Sequence, residues 1–159
     1  MDFRPMRRAA RKTEQKDAEA FLTHAPYGVL SVTGDGGYPY AVPLNFVYAD
    51  GCIYFHCAKT GHKIDAIQKD NRVCFCAVSH EEVIPSEYTT HYESVTAFGR
   101  AHIVKDEAEK HRAAVRLCEK YACPQAGIEA EYERFLNALC IVKIEIEHLS
   151  GKSNLPTEP

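Results

Sequence analysis

Two glycine turns do most to restrict what this chain can fold into. Gly34-Asp-Gly-Gly37 and Asp50-Gly51 each sit between apolar runs rich in β-branched and aromatic residues. Turns of this kind send a strand back alongside the one before it, so the pairing is antiparallel. The first run covers residues 27–33. The second, residues 38–49, is interrupted by Pro39 and Pro43. Proline has no N–H to give a ladder, so this strand belongs at a sheet edge or carries a bulge. The third run returns over residues 52–57.

Further strands are expected over residues 72–79, 91–105 and 138–147. The middle one alternates: Tyr92, Ser94, Thr96, Phe98, Arg100 and His102 share one face, and Val95, Ala97, Gly99, Ala101 and Ile103 the other. In the last, Val142, Ile144 and Ile146 face inward. Residues 80–90 are polar and contain Pro85, which reads as a loop. Helices are expected from a Thr13 cap to about residue 24, over 62–69, over 106–122 behind the capping pair Asp106-x-x-Glu109, and over 129–136. Antiparallel strands with little helix give a β-rich fold, all-β or α+β, in which the strands form a barrel and a few helices lie at its periphery. No Gly-x-Gly-x-x-Gly follows a strand, which removes a dinucleotide-binding doubly wound sheet. No linker or repeat divides residues 1–159, so one domain is expected, with a flexible arm over about 1–12 and a loose tail from about 148 that includes Pro156 and Pro159.

Composition narrows the partners. The net charge is -3 with 26% charged residues, which leaves no broad basic face for nucleic acid. Arg4, Arg7, Arg8, Arg11 and Lys12 read as a solvated leading run. No segment approaches the ~20 apolar residues of a membrane span, and no apolar stretch follows the charged start as in a secretory signal. A cytoplasmic protein is expected. Its seven cysteines, an odd number without Cys-x-x-Cys, then read as free thiols.

The chemistry concentrates in Tyr54-Phe-His-Cys-Ala-Lys-Thr-Gly-His-Lys-Ile-Asp-Ala-Ile67. A strand ends near Cys57, the chain turns at Gly61, and a helix begins at about His62. A helix start offers unpartnered N–H groups and partial positive charge, so anions settle there. Lys59, Thr60, His62 and Lys63 add two permanent cations, a hydroxyl and an imidazole. The set makes a phosphate cradle; the alternative is an ordinary surface helix start with solvated lysines. It is not a P-loop, because histidine follows Gly61. Three charge-assisted hydrogen bonds at ~1.5–3 kcal/mol each barely offset an association cost of ~4–15 kcal/mol. A tightly held ligand therefore needs a flat apolar body as well. The strand around Val42, Pro43, Leu44 and Asn45 offers a place for one, since Pro43 breaks its ladder and leaves backbone groups free for a ring's polar rim.

Three stretches carry a resemblance: Gly37-Tyr-Pro-Tyr-Ala-Val-Pro-Leu, Ile53-Tyr-Phe-His-Cys-Ala-Lys-x-Gly-His-Lys-Ile-Asp and Ser94-Val-x-x-x-Gly-Arg-Ala. In order and over nearly the whole chain, the sequence resembles the Nim-type nitroimidazole-resistance proteins of the pyridoxamine 5'-phosphate oxidase-like flavin-binding group. The resemblance implies a split β-barrel homodimer with FMN at the subunit interface. It implies that His62 and Lys63 grip the flavin phosphate, beside Lys59 and Thr60. His56, Cys57 and Ala58 would line the cofactor, Val42, Pro43, Leu44 and Asn45 would meet the ring, and Ser94 would be a polar flavin contact. The oxidases have arginine where this chain has His62, and their pyridoxal-phosphate-binding tail has no counterpart here. His56 is the candidate catalytic residue. Two functions stay open: an FMN-dependent reductase that takes hydride from NAD(P)H and passes electrons to a nitroaromatic or similar small acceptor, and a flavin- or haem-binding carrier or sensor without turnover. No metal site is expected.

Overall fold

The computed structural model describes residues 3–156. Seven strands form one antiparallel sheet: β1 (Gly28–Thr33), β2 (Pro39–Leu44), β3 (Val47–Ala49), β4 (Cys52–Ala58), β5 (Arg72–Ile84), β6 (Thr89–Ile103) and β7 (Leu139–Ser153). Among the described residues, four α-helices accompany them: α1 (Gln15–His24), α2 (His62–Lys69), α3 (Glu107–Lys120) and α4 (Ile128–Phe135).

The strand order is β2-β1-β5-β6-β7-β4-β3. The two edge strands, β2 and β3, are thus consecutive in the chain and joined only by Asn45 and Phe46. Three Cα steps of about 3.8 Å reach at most about 11 Å. Laid flat, seven strands about 4.8 Å apart would hold their edges about 29 Å from each other. The sheet must therefore curl until its edges nearly meet. It remains unclosed at that seam, and the result is the β-rich split barrel that was expected. The prolines fit this placement: β2 is an edge strand, and Pro39 and Pro43 remove donors where no neighbour on the outer side needs them.

Leu30, Phe46, Ile53, Phe55, Phe75, Val142 and Ile144 fill the interior and expose none of their surface. Asp50 and Gly51 both have positive φ, 53° and 76°, as a tight β3–β4 hairpin requires. Asp106 caps α3 through Oδ1, which accepts the Glu109 amide at 2.7 Å.

Four expectations are corrected. Helix α1 starts behind Glu14, which makes no side-chain cap; Thr13 instead donates its amide to the Gly151 carbonyl at 3.1 Å, and its hydroxyl is buried there. Residues 80–84 are not loop but a continuation of β5, past a register shift between Ser79 and Glu82 where His80 takes φ 55°. A 3-10 turn, Pro85–Glu87, then leads into β6. Likewise β7 continues to Ser153 where a loose tail was expected from 148, because a bulge at Glu147 lets Phe98 pair with His148; Pro159 lies outside the described residues. The leading segment also touches the sheet: the Phe3 ring stacks on His148 and Phe98 at 4.6 and 5.4 Å, and Lys12 bridges to Lys152.

Candidate functional site

The cradle forms where β4 runs out. The ladder to β7 ends at Ala58 opposite Leu139, and three residues later Gly61 caps α2 with φ 120° and ψ 167°. An L side chain rarely adopts that φ, and nothing lies within 4 Å of where a Cβ would stand. Glycine thus makes the turn and leaves the approach open. Ile64 and Asp65 both donate to the Gly61 carbonyl, at 2.8 and 3.1 Å. The amides of His62 and Lys63 stand before the first helical bond, and no side chain caps them. The apolar face of α2, Ile64, Ala66 and Ile67, is buried and holds this start against the barrel.

His62 has a second occupation. Its ring stacks on Tyr40 with centroids 4.1 Å apart, and Nε2 accepts the Asp35 amide at 3.4 Å while standing 3.7 Å from the Asp35 carboxylate. The imidazole so ties α2 to the β1–β2 turn. Gly34 makes room for it: a Cβ there would come within 2.9 Å of the Tyr40 Cβ and 3.0 Å of His62 Nε2. Lys63 is half-buried beside Cys57 and Cys140, which face each other across the β4–β7 ladder. Burial first, then Cys140, push the Cys57 thiol up to about 12, with the Lys63 charge opposing. Burial raises Cys140 as well. Both thiols are neutral at pH 7, so Lys63 keeps an uncompensated charge. Lys59 and Thr60 are exposed.

On the other side of Ala58 the surroundings turn apolar. Asn45, His56, Cys57 and Ala58 open on a cleft of about 520 Å³ between the strand ends and α3 and α4. The structure therefore brings most of the expected residues into two adjoining places, the cradle and the cleft, with Ala58 between them. Val42, Pro43 and Leu44 lie on the edge strand β2, whose Tyr40 meets the cradle through His62. Ser94 is apart from both: on β6 its register neighbours are Val78 and Lys152, and it does not line the cleft.

The sequence pattern of the pyridoxamine 5'-phosphate oxidase family matches residues 14–153, from α1 to the end of β7. The chain belongs to this family. Among curated proteins no sequence matches it. Solved structures share its fold. A conserved hypothetical protein from Mycobacterium tuberculosis is 21% identical, covers 98% of this chain and 96% of its own, and superposes with a TM-score of 0.80. A candidate 5-nitroimidazole antibiotic resistance protein from Bacteroides thetaiotaomicron is 23% identical over 87% of this chain and 83% of its own, with a TM-score of 0.74. The FAD and haem binding protein from Mycobacterium smegmatis is 17% identical over 94% and 77%, with a TM-score of 0.75. At these identities the likeness is one of fold.

In this member of the pyridoxamine 5'-phosphate oxidase family, one residue outside the expected site holds the seam in place. Phe46 lies between β2 and β3, outside both ladders, and is fully buried. The Tyr121 hydroxyl, from the turn after α3, accepts the Phe46 N–H at 3.0 Å and donates to the Pro26 carbonyl at 2.8 Å. The Lys120 ammonium stands 3.7 Å over the Phe46 ring, and burial pushes it down to about 8. Together they fix the backbone that carries Asn45. No local pattern singles out Tyr121, because its partner is 75 residues away. Tyr121→Phe is expected to leave the Phe46 N–H without its partner and to cost ~1–3 kcal/mol. A thermal melt should fall by ~2–4 °C per kcal/mol, and amide exchange at Phe46 should accelerate. An unchanged exchange rate there would remove Tyr121 from this role.

Proposed function

We propose that the chain is an FMN-binding flavoprotein of the Nim-like kind, a reductase of nitroaromatic or related small acceptors that takes its electrons from NAD(P)H. The observation that carries this reading is the start of α2. Two uncapped amides stand at an unobstructed glycine, with Lys59 and Lys63 close by in the chain and the His62 imidazole held against Tyr40. Those donors fit a phosphate dianion, to which the helix start adds partial positive charge. The proline-broken edge of β2 lies next to it, joined through the Tyr40–His62 stack. Lys63, His62 and the two amides would hold the phosphate. Val42, Pro43, Leu44 and Asn45 would meet the ring, while His56, Cys57 and Ala58 would line it. When bound, the flavin would supply the redox chemistry, and the protein's contribution is to position the ring and shield it from water.

A homodimer is part of this reading. Ser94 stands apart from the other candidate contacts within one chain, as a site shared between two copies requires. The tip of the β5–β6 hairpin also exposes Val83 at 69% and Tyr88 at 98%, apolar area that a second copy would cover. Sedimentation of the purified protein checks this. Function is tested on protein loaded with FMN by following NADPH oxidation with a nitroimidazole. Turnover that depends on the acceptor is expected; its absence with every reductant tried would leave the carrier reading, in which a flavin or haem is bound without turnover. The visible spectrum of the purified protein separates those two cofactors.

A further inference from the structure

The cleft beyond Ala58 differs in chemistry from the cradle. Ala114 and Leu117 of α3, Tyr132 and Phe135 of α4, and Leu139 and Ile141 of β7 make its walls. Glu131 is its one charged lining residue, and no lysine or arginine reaches it among the described residues. Lys59, His62 and Lys63 all lie outside it. Two of its three thiols, Cys57 and Cys118, are held neutral by burial. A phosphate or carboxylate placed among these walls would meet Glu131 with no lysine or arginine lining the cleft, which disfavours an anionic ligand there. A volume of about 520 Å³ suits a small organic molecule rather than an ion or a solvent molecule. The rings of Tyr132 and Phe135 favour an aromatic guest over an aliphatic one, because ring pairs gain contact geometry beyond area alone. Asn45 and His56 add an amide and an imidazole at the strand end, enough to orient one polar substituent.

We propose that this cleft is a binding site beside the phosphate cradle, taking an uncharged planar aromatic or heteroaromatic molecule against Tyr132 and Phe135, with its polar substituent toward Asn45 and His56, the edge it would share with the flavin ring. That the guest would be the electron acceptor rests on the flavin reading; occupancy of the cleft does not. The position follows from the fold. The helical excursion α3–α4 interrupts the sheet between β6 and β7, and it roofs the strand ends where the cradle also begins.

The test uses 1-aminoanthracene, an uncharged three-ring fluorophore, titrated into the full chain with and without saturating FMN. The chain has no tryptophan, so no indole emission overlaps the signal. One probe per chain is expected, with binding that survives FMN. Ala114→Phe fills the cleft and should weaken the probe at least tenfold while FMN affinity changes less than twofold. Phe135→Ala removes a half-exposed wall of α4 and should also weaken the probe, which keeps the test open if the first variant fails to fold. Probe binding without FMN binding would support the cleft and count against the flavin reading. The proposal is overturned if the wild-type chain binds no probe, if neither variant alters the affinity, or if FMN displaces the probe competitively, since the cleft would then be the cofactor's own ring pocket.

Discussion

Replacing His62 and Lys63 together by alanine is expected to weaken FMN at least thirtyfold while riboflavin affinity hardly changes. Thirtyfold corresponds to ~2 kcal/mol. Charge-assisted hydrogen bonds are worth ~1.5–3 kcal/mol each, so the loss of one good contact to the phosphate would reach this figure. Riboflavin has the same ring and no phosphate, so it reports damage to the rest of the site. That control matters because His62 also stacks on Tyr40 and accepts the Asp35 amide. His62→Ala alone should therefore loosen the β1–β2 turn and lower both affinities somewhat. Lys63→Ala alone should act on FMN only: the lysine is half-buried beside two neutral thiols, with no acidic partner among the described residues. The wild-type preference for FMN should also shrink as salt is raised, because an exposed charge pair is screened within ~8–10 Å at moderate ionic strength. Isothermal titration with the two ligands decides the matter. Equal losses for FMN and riboflavin would mean that the phosphate does not sit on α2.

What could be read in the sequence was whatever local chemistry dictates. Helix α2 has the expected bounds, His62–Lys69, because Gly61 supplies a conformation that ends the strand and Ile64 and Ile67 supply the apolar spacing. The Asp50-Gly51 hairpin and the Asp106 cap follow from turn and capping chemistry in the same way. The misread segments share another cause. At residues 80–81 and at Glu147 an unpaired residue enters the strand, and beyond it every side chain changes face relative to the simple alternation. Polar residues with Pro85 in the first segment, and the prolines of the tail in the second, then read as loop although the ladder continues past each bulge. The candidate site divides along the same line. Lys59, Thr60, His62 and Lys63 are neighbours in the chain, and their grouping is visible as a motif. The Tyr121–Phe46 contact, the Tyr40–His62 stack and the α3–α4 wall of the cleft join residues far apart in sequence, and no local pattern announces them.

The bulge at Glu147 also makes the strongest stability prediction. Opposite it, Gly99 pairs with Ile146 while Phe98 pairs with His148. A Cβ on Gly99 would stand 2.2 Å from the Glu145 carbonyl oxygen and 3.0 Å from its carbon. Those are backbone atoms of a paired strand and cannot swing aside as a side chain would. Glycine is needed here for space, since Gly99 does not have the positive φ of Gly36, Gly37, Gly51 or Gly61. Overpacking a buried position costs ~1–3 kcal/mol, and the backbone contact puts Gly99→Ala at or above the top of that range. At ~2–4 °C per kcal/mol for a chain of this size, its melting temperature should fall by roughly 6–12 °C. Gly127→Ala is the matched control, because nothing lies within 4 Å of its Cβ position and its φ is negative; it should shift stability by no more than ~0.5 kcal/mol. If the two variants melt alike, β6 and β7 do not approach as closely at the bulge as the geometry has them. The curl of the barrel would then need another source, for β7 pairs with β4 over Leu139–Glu145 and the bulge follows directly where that pairing stops.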